Sequence, residues 1–392
     1  MDGNGTVVRN GTVVINADTI VAVLAGNTAI PAGAQVIDLR RYTAIPGMID
    51  AHTHITYAWD PESGTDPWRQ PARPLELTLS LQRANMLHAL EDGVTTIRDL
   101  GASNYADIAL RDSVNKGVWV GPRMFVAGYG LQRARPPYRP NTDTTKTQRG
   151  RVFNISQIDE AVKQQVDAGA DYIKVYGSTG SGADVTGNET FSFDELKAAV
   201  DAAHKYGKRV AVHSYGPQGG RDAVRAGTTS LEHSIDLDDA TFAEMARRGT
   251  FYVPTIDHNR YYAEYAKDFR YTPQQVAALD SFRLLNFETA KRAFKAGVKF
   301  GMGSDAVFHM FGQNTRELGW YVKAGMTPAQ ALATATVNGA ALLGMEKKLG
   351  RIAPGYFADI AAVDGDPLKD IDVAIYKVKW VMKGGAVVVE NK

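Results

Sequence analysis

Pro46-Gly-Met-Ile-Asp-Ala-His-Thr-His54 is an apolar run that ends in two histidines two positions apart. In an extended strand, residues i and i+2 project to one face, so both imidazoles converge. The run Ala44–Asp50 reads as the first of eight strands. The others are Val94–Asp99, Arg123–Ala127, Tyr172–Tyr176, Arg209–His213, Ser230–His233, Phe251–Pro254 and Val298–Gly303. Helical stretches separate most of them. Ser192-Phe-Asp-Glu195 and Thr327-Pro-Ala-Gln330 are capping boxes, and Gly169, Gly207, Gly227, Gly249 and Gly297 sit where helices should end. Eight such units over about 300 residues predict an α/β fold of the (β/α)8 barrel type. An open doubly wound sheet is the competing reading.

Outside the barrel the two ends resemble each other. Thr6–Ala25 and residues 350–392 carry short Val/Ile-rich runs broken by Asn and Gly, with Gly384-Gly385 as a turn. These predict a small β-sandwich built from residues 1–45 and 350–392, with the barrel at 46–349; two separate edge hairpins are the alternative. Met1-Asp2-Gly3-Asn4-Gly5 is a turn sequence with no strand before it. That raises the expectation of a missing first strand and a leader removed before Met1. The compartment stays open: cytoplasmic, or periplasmic or secreted if such a leader existed.

Composition narrows the function. Of 392 residues, 44 are Lys or Arg and 43 Asp or Glu, giving a formal net charge of +1. This excludes a polybasic nucleic-acid binder. No apolar window is long enough to cross a bilayer. With no cysteine, disulfides, thiolate nucleophiles and Cys-ligated zinc are excluded together. No Gly-x-Ser-x-Gly elbow is present. The run Gly177-Ser-Thr-Gly-Ser-Gly182 lacks the Gly-Lys-Ser/Thr ending of a phosphate loop and reads as a loop at the barrel mouth.

The chemistry lies at strand ends. His52 and His54 end strand 1, His213 strand 5, His233 strand 6, and Asp305, in Gly301-Met-Gly-Ser-Asp305, strand 8. Strand C-termini of a barrel meet at one face, where active sites lie. Four imidazoles and a carboxylate there make a metal site by ligand type. Lys174 sits in the apolar strand Tyr172–Tyr176, where a buried ammonium is costly unless paired. It is either neutral, paired with an acid, or carboxylated by CO2 to a carbamate that bridges two metal ions. Tyr176 and Tyr215 lie two positions beyond a ligand and are candidates for holding an oxyanion or a substrate carboxylate. Thr56–Pro74, with Trp59, Trp68 and four prolines, reads as a wall for an aromatic substrate or as an oligomer contact. His258 and His309 follow strands 7 and 8 within reach of the pocket, whereas His88 and His204 lie on helical patterns at the surface.

The series His52-x-His54, Lys174, His213, His233, Asp305 on strands 1, 4, 5, 6 and 8 resembles the metal-dependent amidohydrolase superfamily. Lys174 resembles the carboxylated lysine of its binuclear subtype and disfavours a deaminase. Thr95-Thr96-Ile-Arg-Asp99, His213-Ser-Tyr215 and Ser230-Leu-Glu-His233 are similar to the Xaa-Pro dipeptidase and ochratoxinase group. The resemblance implies two divalent ions, with zinc the expected metal. His52, His54 and Asp305 would hold the more buried ion, and His213 and His233 the second, with Lys174 shared. It implies a homo-oligomer, and hydrolysis of an amide or dipeptide substrate by a metal-bridging hydroxide, with Asp305 moving the proton. The bond cleaved would join a C-terminal amino acid in a dipeptide, an N-acyl amino acid or an ochratoxin-like conjugate of phenylalanine. Lactones, cyclic amides or ureides and organophosphates are the alternative substrates; a catalytically dead metal-binding scaffold is a third reading. Relatives often carry a histidine in the loop after strand 3. Here Tyr129-Gly-Leu-Gln-Arg-Ala-Arg135 has none, which leaves Arg133 and Arg135 as candidates for the substrate carboxylate.

Overall fold

The computed structural model describes residues 1–3, 5–26, 32–70, 74–139 and 141–390. Asn4 of the N-terminal turn, and residues 71–73 of the expected aromatic wall, therefore lie outside the described residues. The eight barrel strands are Met48–Thr53, Val94–Asp99, Arg123–Val126, Tyr172–Tyr176, Arg209–Ser214, Ser230–His233, Phe251–Val253 and Lys299–Phe300. They form parallel ladders from strand 1 to 3 and from strand 4 to 8. Two backbone seams close the ring. Asp171 N–H donates to Val126 O at 2.8 Å, and Ala51 N–H and Asp305 N–H donate to Met302 O and His52 O at 2.8 and 2.7 Å. The chain is thus a closed (β/α)8 barrel with a small β-sandwich, and the open sheet is set aside.

Strand burial follows the period of such a barrel: strands 1 and 2 are buried at every position, facing the lumen on one side and the helices on the other. The helices start and stop where local chemistry dictates. Both capping boxes form, on Phe193–Lys205 and Pro328–Thr334. Gly227 and Gly249 end their helices with φ of 98° and 73°, which an L side chain adopts only with strain.

One expected element divides. Ala44–Asp50 is not a single strand: Thr43–Pro46 pairs antiparallel with Ile360–Val363 in the terminal sheet, and the barrel strand starts at Met48. The break is at Gly47, whose N–H donates to Asp359 O at 2.8 Å. A Cβ there would lie 2.2 Å from Thr95 Oγ1, so only glycine passes. The terminal sheet continues through Val378–Lys383 and Ala386–Glu390, joined by Gly384-Gly385, both at positive φ. Thr12–Asn16 and Thr19–Leu24 form a hairpin tied to the C-terminal segment by Ile20 N–H to Tyr356 O and Ala358 N–H to Asp18 O. Ile20, Ile352, Ile360, Trp380 and Met382 fill the core between them. Thr6–Arg9 forms no strand. Among the described residues no helix is long and apolar enough to cross a membrane.

Candidate active site

The strand ends bring His52, His54, Lys174, His213, His233 and Asp305 to one mouth, all at least nine-tenths buried. Asp305 stands at the centre. Its Oδ1 lies 3.4 Å from both His52 Nε2 and His54 Nε2, and its Oδ2 lies 4.0 Å from His233 Nε2 and 3.1 Å from His258 Nε2. The imidazoles of His213 and His233 are 4.6 Å apart between ring centres, those of His52 and His233 5.0 Å. Ligand atoms of His52, His233 and Asp305 all lie within 4.8 Å of one another, close enough for one ion.

The backbone aims these groups by leaving the strands in an unusual way. His233 and Asp305 sit at φ of 70° and 54°, the left-handed region that non-glycine residues rarely occupy. A buried network holds the ends of strands 1 and 8 together. Asp50 accepts from His52 N–H at 3.1 Å and Ser304 N–H at 3.0 Å, and from Ser304 Oγ and Asn314 Nδ2 at 2.5 and 2.8 Å. Gly303 lets the segment that follows strand 8 pass its neighbours, because a Cβ would meet Val253 Cγ1 at 2.4 Å and His52 Cβ at 2.9 Å. Gly303→Ala is expected to destabilise the fold by about 1–3 kcal/mol through overpacking, read as a lower Tm.

The imidazoles present matching faces. His54 Nδ1 lies 3.1 Å from Gly101 O, His52 Nδ1 2.9 Å from Glu232 Oε2, and His233 Nδ1 2.7 Å from Thr255 Oγ1. These contacts occupy Nδ1 and turn Nε2 inward, as metal-ligating histidines require. Burial is the main force that holds the rings neutral. It pushes His54 and His258 down to about 3, and His52, His213 and His233 well below their ordinary value. His213 Nε2 is buried with no hydrogen-bond partner. Lys174 Nζ approaches His52 Nε2 at 3.4 Å and forms no ion pair among the described residues. Burial draws its ammonium down to about 8, and the same burial pushes the Asp305 carboxyl well up. Free imidazole lone pairs, an amine that gives up its proton more readily than an ordinary lysine and a central carboxyl make a donor set that divalent cations complement.

The other predicted residues separate. Tyr215 stacks on His213 with ring centres 5.1 Å apart, and Tyr176 lies 5.4 Å beneath Lys174 Nζ. His258 joins the site through Asp305, with its Nδ1 buried and unpartnered. His309 packs instead among Trp59, Tyr261 and Tyr265. Arg133 and Arg135 are directed elsewhere: Arg133 donates to Glu195 at 2.7 Å and to Ala134 O, and the exposed Arg135 to Thr190 O. Glu195 closes the capping box of its helix and draws Arg133 to it. His88 and His204 are exposed on helices. Trp68 does join an aromatic wall with Tyr262, Phe269 and Phe308, and Tyr262 meets His258 edge-on at 4.7 Å. Sequence reasoning missed Tyr57, stacked on His54 at 4.8 Å, and the buried pair Arg98–Glu232. A charged residue inside an apolar strand is the signal for that pair, since it must find a partner.

A mouth lined by four imidazoles, a carboxylate and a lysine defines a barrel hydrolase. The chain belongs to the amidohydrolase family, whose model it matches over residues 43–388. It is 29% identical to ochratoxinase of Aspergillus niger over 98% of this chain and 84% of that protein. Its structure is similar to that of a Xaa-Pro dipeptidase with methionine bound in the active site, at 32% identity and a TM-score of 0.84, covering 96% and 94% of the two chains. It is also similar to a prolidase complexed with N-methylphosphonate-L-proline, at 29% identity and a TM-score of 0.84, covering 97% and 95%. The protein is a hydrolase that acts on amide bonds.

Proposed function

We propose that this hydrolase cleaves the amide bond to a C-terminal amino acid in a dipeptide, an N-acyl amino acid or an ochratoxin-like conjugate. The observation that carries this reading is the convergence of His52, His54, His213, His233, Asp305 and Lys174 on one buried mouth, in a chain similar over nearly its whole length to ochratoxinase and to dipeptidases. His52, His54 and Asp305 would hold one divalent ion, His213 and His233 a second, and Lys174, carboxylated by CO2, would join them. Zinc suits this nitrogen and oxygen donor set. Bound ions supply a water whose pKa falls towards neutrality and an electrophile for the scissile carbonyl.

The chain's own groups do the rest. Asp305 accepts the proton of the attacking water and returns it to the leaving nitrogen. Burial excludes bulk water from the exchange. His258, 3.1 Å from Asp305 Oδ2, steadies that carboxylate. The wall of Trp68, Tyr262, Phe269 and Phe308 favours a large apolar side chain on the substrate. With Arg133 and Arg135 engaged elsewhere, Tyr215 and Tyr176 are the hydrogen-bond donors for the oxyanion or the carboxylate. Tyr215→Phe and Tyr176→Phe are each expected to lower kcat/KM by about 10-fold or more, the loss of a hydrogen bond to a charged group being about 1.5–3 kcal/mol. An unchanged kcat/KM in both removes the role.

The test is a panel of N-acyl amino acids and dipeptides, aromatic and proline leaving groups included, given to zinc-loaded protein in bicarbonate buffer. Release of the free amino acid is the expected result. Turnover of lactones, cyclic ureides or phosphotriesters with none of the amides would overturn it.

A further inference from the structure

One of the inward-facing imidazoles is backed by a charge, and the others are not. Glu232 lies on strand 6, one residue before His233, with its side chain wholly buried. Its Oε2 is 2.9 Å from His52 Nδ1, while its Oε1 accepts from Arg98 Nη2 at 2.9 Å and Ser230 Oγ at 2.5 Å. Arg98, equally buried, also donates from Nε to Ala51 O at 2.5 Å and from Nη1 to Ser230 Oγ at 2.9 Å. The guanidinium thus fixes Glu232 from behind. The partners of the other imidazoles carry no charge: Gly101 O for His54, Thr255 Oγ1 for His233 and the Thr179 backbone for His213.

Stability alone is a poor reason for this arrangement. An apolar pair of similar volume in the same place is often as stable or more so. Nor does the ion pair need His52, because Arg98 meets Glu232 through Oε1 and leaves Oε2 free of it. What the second oxygen does is accept the Nδ1 proton of His52, which fixes the tautomer, holds the ring's orientation and makes Nε2 a stronger electron-pair donor.

We propose that Glu232, held by Arg98, is a positioning residue that makes the ion site of His52 and His54 the tighter of the two, so that ions are released one at a time. The proposal rests on the two-ion reading above. Its effect is on affinity, and it is read on the metal itself.

Zinc-loaded protein in bicarbonate is dialysed against graded concentrations of a chelator, and zinc per chain is measured by mass spectrometry. The wild type is expected to show a plateau at one ion per chain. Glu232→Gln should weaken the retained ion by about 10–100-fold and merge the two losses. Thr255→Val should weaken only the ion that leaves first. Because Glu232→Gln strands Arg98 in the interior, the double variant Arg98→Met/Glu232→Gln, which removes both charges, is measured beside it, with circular dichroism as the check on folding. Release of both ions in one step by the wild type would overturn the proposal. So would a folded double variant that keeps the wild-type plateau at the same chelator concentration. Protein that releases zinc in two steps but hydrolyses no amide of the panel would refute the proposed substrate class and leave this inference standing. Protein that hydrolyses the amides but loses both ions together would do the reverse.

Discussion

Asp305→Asn is expected to lower kcat on the amide substrate by about 10²–10⁴-fold, the usual worth of a positioned proton-transfer group. The geometry explains why so much rests on one side chain. Asp305 lies 3.4 Å from His52 and His54 and 3.1 Å from His258, so on the proposed two-ion reading its carboxylate stands where it would both meet the cations and take up a proton. Asparagine keeps the shape and one oxygen, so the fold should persist and the change should fall on kcat more than on KM. Zinc content measured on the same sample separates lost proton transfer from lost metal. Activity within 10-fold of wild type at full metal content would show that another group moves the proton.

The second large effect is expected from Lys174→Met. Methionine matches the length of the buried stem and removes the amine, so the barrel interior stays filled. On the proposed reading, the two ions would then lose the carbamate they share. Stoichiometry should fall from two zinc ions per chain towards one. Loss of several kcal/mol of transition-state charge stabilisation corresponds to a rate reduction on the order of 10³-fold for about 4 kcal/mol. Small carboxylates such as acetate, added at high concentration, should restore part of the activity by occupying the vacated position. A Lys174→Met protein that keeps both ions and its activity would sink the bridging role, as would an intact-mass measurement of the wild type in bicarbonate that never shows the added CO2.

The convergence of the candidate ligands was legible in the primary structure because they lie at or just beyond strand ends, and the strands are marked by short apolar runs between capped helices. Ser192–Glu195 and Thr327–Gln330 cap their helices as read, and Gly227 and Gly249 end theirs. These are local effects of backbone and neighbouring side chain. Errors came where a distant partner decides. Ala44–Asp50 reads as one strand because its apolar pattern is continuous, and it divides at Gly47 because Thr95 leaves no room for a side chain. Arg133 looked free in sequence because Glu195, 62 positions on, is invisible to any local pattern.

What the amino-acid order determined by itself was periodicity, capping and the kinds of donor atom available. Those suffice for a barrel and for a set of imidazoles, a lysine and a carboxylate at its rim, since strand parity and chain direction are local properties. The packed molecule alone decided which of those donors meet, and what stands behind each. Asp305 reaches four histidines, Glu232 turns to His52, and His309 is drawn into an aromatic cluster instead. Those choices depend on closing the ring of strands, which brings side chains more than a hundred residues apart into contact and forces every buried polar group to find a partner there.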